Sequence, residues 1–442
     1  RSADVTLRGD IYTGRGLGYG MDFRTRANSR SYLNFGFYAV KDRIFGAKES
    51  PATPDQGGSL IYAEGVQYFR NGFTAVADVR LTSNLAFRQV FSDGIQQIIS
   101  PIEVSQVFLN KSWDSYTLNL LARSQVISIP NVRIKTRNLP SINFEKRPTE
   151  LSFLKNVYFS FKTNMEGVSR REETDNLSLY QQQTGFSPIV SPALSQRLDV
   201  HPQVMIPLNS RYFTLTATLG GRVTYYSNSF NDMRQIVGRD LIRKYGEIEL
   251  DLRPVALAKN YYGKNNTFRF RHVIEPFLTY RYIKGINNFQ RIIRFDSTDT
   301  VTDTNEVEFG LTNRVYTRRY TEAVTEEAQK ALRENPSLVK NPLSVQPYEV
   351  FTFTIRGKYF VDDRFGGALI PGLRNQIQPI TALTFYTFGG VPRRFSPINL
   401  DATYRPRNGI FLNTRMDIGV QGDGLRAIST TIGYDSKLLK FF

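Results

Sequence analysis

Ala3-Asp4-Val5-Thr6-Leu7-Arg8-Gly9-Asp10-Ile11-Tyr12 sorts into two columns. Successive side chains of an extended strand point to opposite faces, so Ala3, Val5, Leu7, Gly9 and Ile11 form one face, and Asp4, Thr6, Arg8, Asp10 and Tyr12 the other. One face suits an apolar medium and the other water. The pattern repeats along the chain. Leu17, Tyr19, Met21 and Phe23 oppose Asp22, Arg24 and Arg26, and Leu33, Phe35, Phe37 and Ala39 oppose Asn34 and Gly36. Further copies run through Phe73–Leu81, Tyr116–Val126, Val157–Met165, Phe213–Leu219, Ile248–Leu252, Val307–Leu311, Phe351–Tyr359 and Ile410–Ile418. Roughly eighteen to twenty segments of about 8–12 residues emerge, the length a tilted strand needs to cross a bilayer.

The alternation therefore predicts an all-β chain forming a large antiparallel transmembrane β-barrel. Arg introduced at Leu120 or Leu215 is expected to cost about 2–4 kcal/mol if these residues face the bilayer midplane. The 442 residues show no compositional break, so 1–442 reads as a single transmembrane β-barrel domain. Hydrophobic residues make up 40% and mean hydropathy is −0.34, with no apolar run of helix-spanning length, which excludes a helical membrane protein. Cysteine is absent, which removes disulfide and thiolate chemistry.

Connections fit the same architecture. Thr13-Gly14-Arg15-Gly16 and Ala27-Asn28-Ser29-Arg30 read as tight hairpin turns, whereas Lys41 to Gly58 and Glu172 to Ser195 read as long polar loops. Thr321 to Arg333 reads as one short loop helix, stopped by Asn335-Pro336. Pro140, Pro202, Pro207, Pro254 and Pro276 fall within or beside alternating runs and should mark strand ends, bulges or edges, because proline donates no ladder hydrogen bond.

The net charge of +17 raises the question of nucleic acid, but the basic residues are dispersed and no nucleic-acid motif accompanies them. Arg24, Arg26, Arg80 and Arg123 all lie on polar faces, either as ordinary solvated positions or as the cationic lining of a lumen that handles an anionic ligand. Charge reversal at these positions separates the two readings, since only the second predicts altered transport with folding intact. Glu247, Glu249 and Asp251 share one strand face and are expected to pair with neighbouring arginines, with a cation site as the other reading. His201 and His272 are the only histidines and no carboxylate spacing around them suggests a metal or catalytic centre. Gly14, Gly16, Gly18 and Gly20 lead into a continuing strand and not a helix, so they are not a dinucleotide loop. No nucleophile, base and orienting group combine, and neither a catalytic residue, a cofactor site nor a metal site is expected.

A family resemblance rests on motifs in order. Leu139-Pro140-Ser141-Ile142-Asn143-Phe144 with Tyr158-Phe159-Ser160-Phe161 resembles the central barrel of the lipopolysaccharide-assembly outer-membrane proteins, the LptD or organic-solvent-tolerance family. Arg197-Leu198-Asp199-Val200-His201-Pro202 resembles its R-x-D-x-x-P strand, and Gly221-Arg222, Asp251-Leu252-Arg253-Pro254, Val273-Ile274-Glu275-Pro276, Phe295-Asp296 and Asn305-Glu306-Val307-Glu308-Phe309-Gly310-Leu311 follow in sequence.

The resemblance implies a non-catalytic translocon of the bacterial outer membrane that inserts lipopolysaccharide into the outer leaflet. Its implied partners are the lipid bilayer, a plug lipoprotein (LptE-like) and a periplasmic bridge protein (LptA-like), with no nucleic acid. The family's periplasmic jellyroll, gate prolines and closing strands are not recognised here, so the chain is expected to be a fragment of a longer one, leaving the barrel incomplete. Two alternatives stay open at this point: another outer-membrane porin or substrate-specific transporter, and a soluble or surface β-rich structural protein. Solubility without detergent would favour the last.

Overall fold

The computed structural model describes residues 2–13, 15–42, 56–91, 100–129, 132–263, 268–319, 346–362, 394–406, 409–420, 422, 424–435 and 440–441. Two compact units divide the chain: Arg1–Val204 with Gly220–Tyr245 and Asn288–Val301, and Met205–Leu219 with Gly246–Asn287 and Thr302–Phe442.

The first unit is an antiparallel meander of β1 (Ser2–Tyr12), β2 (Gly16–Arg26), β3 (Tyr32–Asp42), β4 (Gly58–Tyr68), β5 (Phe73–Thr82), β6 (Ile102–Trp113), β7 (Tyr116–Ile129), β8 (Val132–Leu151) and β9 (Leu154–Thr174), each paired with the next. β10 (Ser195–Asn209) pairs with β9, β11 spans Phe213–Tyr226, and a two-residue hairpin, β12 (Ser229–Phe230) with β13 (Ile236–Val237), precedes β14 (Leu241–Pro254). In the second unit, Gly246–Leu252 of β14 and then β15 (Leu257–Tyr262) pair with β16 (Phe268–Lys284). From there β17 (Thr304–Arg319), β18 (Gln346–Phe360), β19 (Ile398–Tyr404), β20 (Ile410–Gly419), β21 (Gly424–Asp435) and β22 (Lys440–Phe441) continue the antiparallel order.

The registers turn the sequence columns into rows. Val5, Phe23, Phe35, Ala63 and Val79 lie directly opposite one another across five strands, and Leu7, Met21, Phe37, Ile61 and Leu81 form the parallel apolar row. The alternate row reads Asp4, Arg24, Asn34, Glu64, Asp78, Gln106, Arg123 and Asn138, polar at every position across eight strands. Antiparallel pairing places like-parity residues side by side, so the alternation along each strand becomes two chemically distinct sheet faces. The apolar face is exposed: Leu7 is 79% and Ile11 82% accessible. An apolar row this long left uncovered is the surface of a sheet whose solvent is lipid. The predicted class, an all-β antiparallel barrel wall, stands in each unit.

The expected hairpins form as read. Tyr12 pairs with Gly16, the Arg15 amide donates to the Tyr12 carbonyl at 2.9 Å, and the Asn28 side chain accepts from the amides of Arg30 and Ser31 at 2.9 and 2.8 Å. Strand length departs from expectation. β1 to β6 have 10 to 12 residues, but β8 and β9 have 20 and 21, because their ladder continues past the width of an apolar band. The β8–β9 ladder shifts register between Asn138 and Ser141, Lys146 and Thr149, and Glu150 and Leu151, and Pro140 sits in the first of these shifts. Pro254 ends β14, and Pro276, paired with Leu311 of β17, faces the break between β14 and β15 on its other side, where no amide is needed.

Glu172 to Ser195 is not a featureless loop. β9 runs on to Thr174, and helix α2 (Leu177–Thr184) follows, capped by the Asn176 side chain on the Leu179 amide and ended by Gly185 at φ 74°. Another helix escaped the sequence reading: α1 (Leu85–Phe91), whose Phe87 packs with Tyr38 and Val40 of β3, with Tyr12, Leu60 and Phe91 around them. These strand residues carry polar-face parity, so α1 covers a patch of that face. Gly18 makes room for the Tyr38 ring on which Phe87 packs, since a Cβ there would strike the Tyr38 hydroxyl. The helix expected at Thr321–Arg333, and residues 43–55 of the first long loop, lie outside the described residues.

Candidate functional site

A densely connected polar group of the first unit lies where residues 288–301 return against β9, β10, β11 and β14. Parity prepares one side of it. Ser195, Arg197 and Asp199 of β10 are buried while Gln196, Leu198 and Val200 are exposed; Leu241, Arg243 and Tyr245 of β14 repeat the alternation. The other side is a short 3₁₀ turn, Ser297–Thr300, closed by a reciprocal cap in which Asp296 accepts from the Thr298 amide and Asp299 reaches back to the Asp296 amide. Ile292 and Ile293 are wholly buried, the first packed with Tyr226 and Leu241, so apolar contact holds the segment in place before any charge is counted.

Arg197 is the hub. Its guanidinium, 1% exposed, bonds Asp299 at 2.8 Å, Asp296 at 2.5 Å and Glu166. Glu166 is held in turn by Ser141 at 2.7 Å, Asn164 at 2.6 Å and Asn138 at 3.0 Å. The Tyr226 hydroxyl donates to Asp299 at 2.7 Å, and Arg243 joins the Thr298 carbonyl at 2.8 Å to Thr224 at 3.0 Å. Asp199 receives Thr224 at 2.6 Å and a two-pronged contact from Arg222 at 2.9 and 2.8 Å.

The two aspartates feel this site differently. Full burial pushes the Asp299 carboxyl above its ordinary range despite the pull of Arg197. Burial also acts on Asp296, but there Arg197 and the Thr298 amide prevail and hold its carboxyl below the ordinary value. Three carboxylates sharing one guanidinium form a lock, not a proton-transfer pair. Its chemistry is to pin a segment to a wall.

Of the sequence candidates, Arg24 and Arg123 share the polar row described above. Arg24 bonds Asp4 at 3.0 Å, and Arg123 bonds Gln125 at 3.0 Å. Arg80 faces Tyr62 across the ladder and lines a cavity of about 320 Å³ with Arg8, Asp22, Glu64 and Asp78. Arg26 is exposed at the end of β2, opposite Tyr32. The four share one strand-face parity, but acids and amides intervene, so among the described residues they form no continuous cationic strip. The acidic column fares as expected for two of its members: Glu249 pairs with Arg281 at 2.8 Å and Asp251 with Arg253 at 3.0 Å. His272 meets the amide oxygen of Asn313 at 3.2 Å.

Sequence reasoning found Arg197 and Asp199 only as motif letters and missed Glu166, Asp299 and Arg243 altogether. The one local signal for Asp299 is the capped stretch Asp296-Ser297-Thr298-Asp299, which announces a turn but not its partner.

Solved structures with a similar course include the ferric citrate transporter FecA in its unliganded form, at 9% identity over 98% of this chain and 71% of that one, with a TM-score of 0.31. The FrpB iron transporter from Neisseria meningitidis gives 8% identity, 98% and 74% coverage and a TM-score of 0.30. A loop-deletion mutant of OmpT, an outer membrane protein of Vibrio cholerae, gives 9% identity, 81% and 93% coverage and a TM-score of 0.21. No curated protein matches the chain. The family model described as LptD, LPS transport system D, matches residues 57–442. With nearly the whole length matched, and with a lipid-facing apolar face set against a polar one, the chain belongs to the LptD family of outer-membrane lipopolysaccharide transport proteins.

Proposed function

We propose that the protein inserts lipopolysaccharide into the outer leaflet of the outer membrane and makes or breaks no bond in doing so. Membership of the LptD family carries this reading. The two-faced wall supports it physically, because an amphiphile with acyl chains and anionic sugars needs an apolar path and a wet one side by side. On the wet path, Arg24, Arg26, Arg80 and Arg123 contact anionic headgroups in passing. Their interleaving with Asp4, Glu64 and Asp78 keeps that contact weak, as a conduit requires, since a uniformly cationic strip would retain its cargo. The partners in this reading are a plug lipoprotein resembling LptE and a periplasmic bridge protein resembling LptA.

The test is replacement of the resident protein in cells by the Arg24→Glu/Arg80→Glu/Arg123→Glu variant. Normal levels of folded protein with less lipopolysaccharide at the cell surface are expected. Unchanged surface lipopolysaccharide would remove the lumen role of these arginines, and absence of a small lipoprotein from the purified complex would remove the plug partner.

A further inference from the structure

A second cavity of the first unit has a charge balance that its own residues leave open. It measures about 680 Å³ and lies between the α2 segment and the β12–β13 hairpin, with residue 294 beside them. Three arginines line it, Arg170, Arg234 and Arg294, against one carboxylate, Glu172. Glu172 is already fully engaged: one oxygen takes Arg170 (Nε at 2.9 Å), and the other takes the Tyr180 hydroxyl at 2.6 Å and the Ile189 amide at 2.8 Å. Arg170 is spent as well, bonding the Arg294 carbonyl at 2.6 Å.

Arg234 and Arg294 are left over. Arg294 is 7% exposed, and its Nη1 has no hydrogen-bond partner among the described residues. The Arg234 guanidinium carbon sits over the Phe186 ring, 3.4 Å from its centre, a contact that uses none of its N–H donors. Burial, with Arg234 and Arg170 alongside, pushes the Arg294 pKa down to about 10, still cationic at neutral pH. Two crowded guanidiniums in a partly desolvated cavity are costly until an anion joins them.

We propose that this cavity binds a phosphate monoester, with the phosphoryl oxygens held by Arg234 and Arg294. A phosphate monoester carries about −1.5 to −2 at neutral pH and suits two guanidiniums that no carboxylate of the cavity takes up by hydrogen bonding, and its oxygens suit the planar guanidinium fork. The volume exceeds a phosphoryl group, and Phe186, Ile189, Phe230 and Ile236 offer an apolar wall to the carbon skeleton that carries it. Such a phosphate can arrive free, on a soluble sugar, or on a glycolipid. The site stands apart from the transport reading, since it needs only the ligand chemistry.

Titration calorimetry on the full chain in detergent tests it with three probes: inorganic phosphate, glucose 1-phosphate and a micelle-borne phosphoglycolipid. Saturable binding of at least one probe is expected, weakened on the order of tenfold by Arg294→Gln and by Arg234→Gln. Arg171→Gln, at an exposed position paired with Glu173, should leave it unchanged. A strong preference for the glycolipid names a lipid source, and equal binding of the first two probes names a free anion. Arg234 is half-buried, so its variant keeps the test valid if Arg294→Gln fails to fold. No saturable binding of any probe, or binding that Arg234→Gln leaves intact, overturns the proposal.

Discussion

Arg197 in the first unit and Arg314 in the second each hold more than one carboxylate, yet the two clusters are different devices. Arg197 is 1% exposed and its partners Glu166 and Asp299 are 5% and 0%. Arg314 bridges Glu275 at 2.9 Å and Glu349 at 2.8 Å with all three side chains a third or more exposed. In the first case Glu166 and Asp299 are cut off from water, Asp296 alone reaching it, so their lone pairs must find protein donors and removing Arg197 strands them. In the second, water screens the charges and replaces whichever partner is lost. The same residue types thus build a lock in one place and an adjustable polar surface in the other.

Arg197→Ala should have the largest effect of these substitutions. It leaves Glu166 and Asp299 buried without their cation, and a loss of about 3–5 kcal/mol is expected, read as a lower urea midpoint for the folded protein in detergent. A change no larger than that of an exposed pair would show that the lock is not one. Tyr226→Phe removes a single hydrogen bond to buried Asp299 and should cost about 1–3 kcal/mol by the same measurement. At the other end of the scale, Arg314→Ala should cost less than about 1 kcal/mol, and added salt should shrink that difference further.

Acid sharpens the contrast within the lock. The Asp296 carboxyl is held below its ordinary value of 3.8, so its contribution is complete above that pH and is lost as pH falls through the lower folded value. Asp299 has the opposite sign: its raised carboxyl gives a contribution present at low pH and lost as pH rises through the folded value. Hydrogen exchange of residues 288–301 should therefore stay slow down to about pH 4 and accelerate only below it. Acceleration already between pH 5 and 7 would contradict the hold of Arg197 on Asp296.

Much of the wall was legible in the chain because side-chain parity is a local property. Once Val5 and Phe23 lie on one face, antiparallel pairing sets them beside residues of the same parity, as it does Phe35 and Ala63. The exposed pairs were legible for the same reason, since Glu249 and Arg281 meet across adjacent strands. α1 was not, because seven residues are too few to show a helical period, and α2 hid in a polar stretch whose capping residues, Asn176 and Gly185, also suit loops.

The amino-acid sequence by itself determined the strands, their two faces and the membership of a lipopolysaccharide transport family, because a repeat of two and an ordered set of motifs need no long-range information. Only the tertiary structure decided that Asp296 and Asp299 return to Arg197 across 99 and 102 residues, and that Arg294 is buried beside Arg170 and Arg234. Those meetings depend on how a connecting segment folds back against the wall, and a segment's destination is fixed by packing, not by its own pattern.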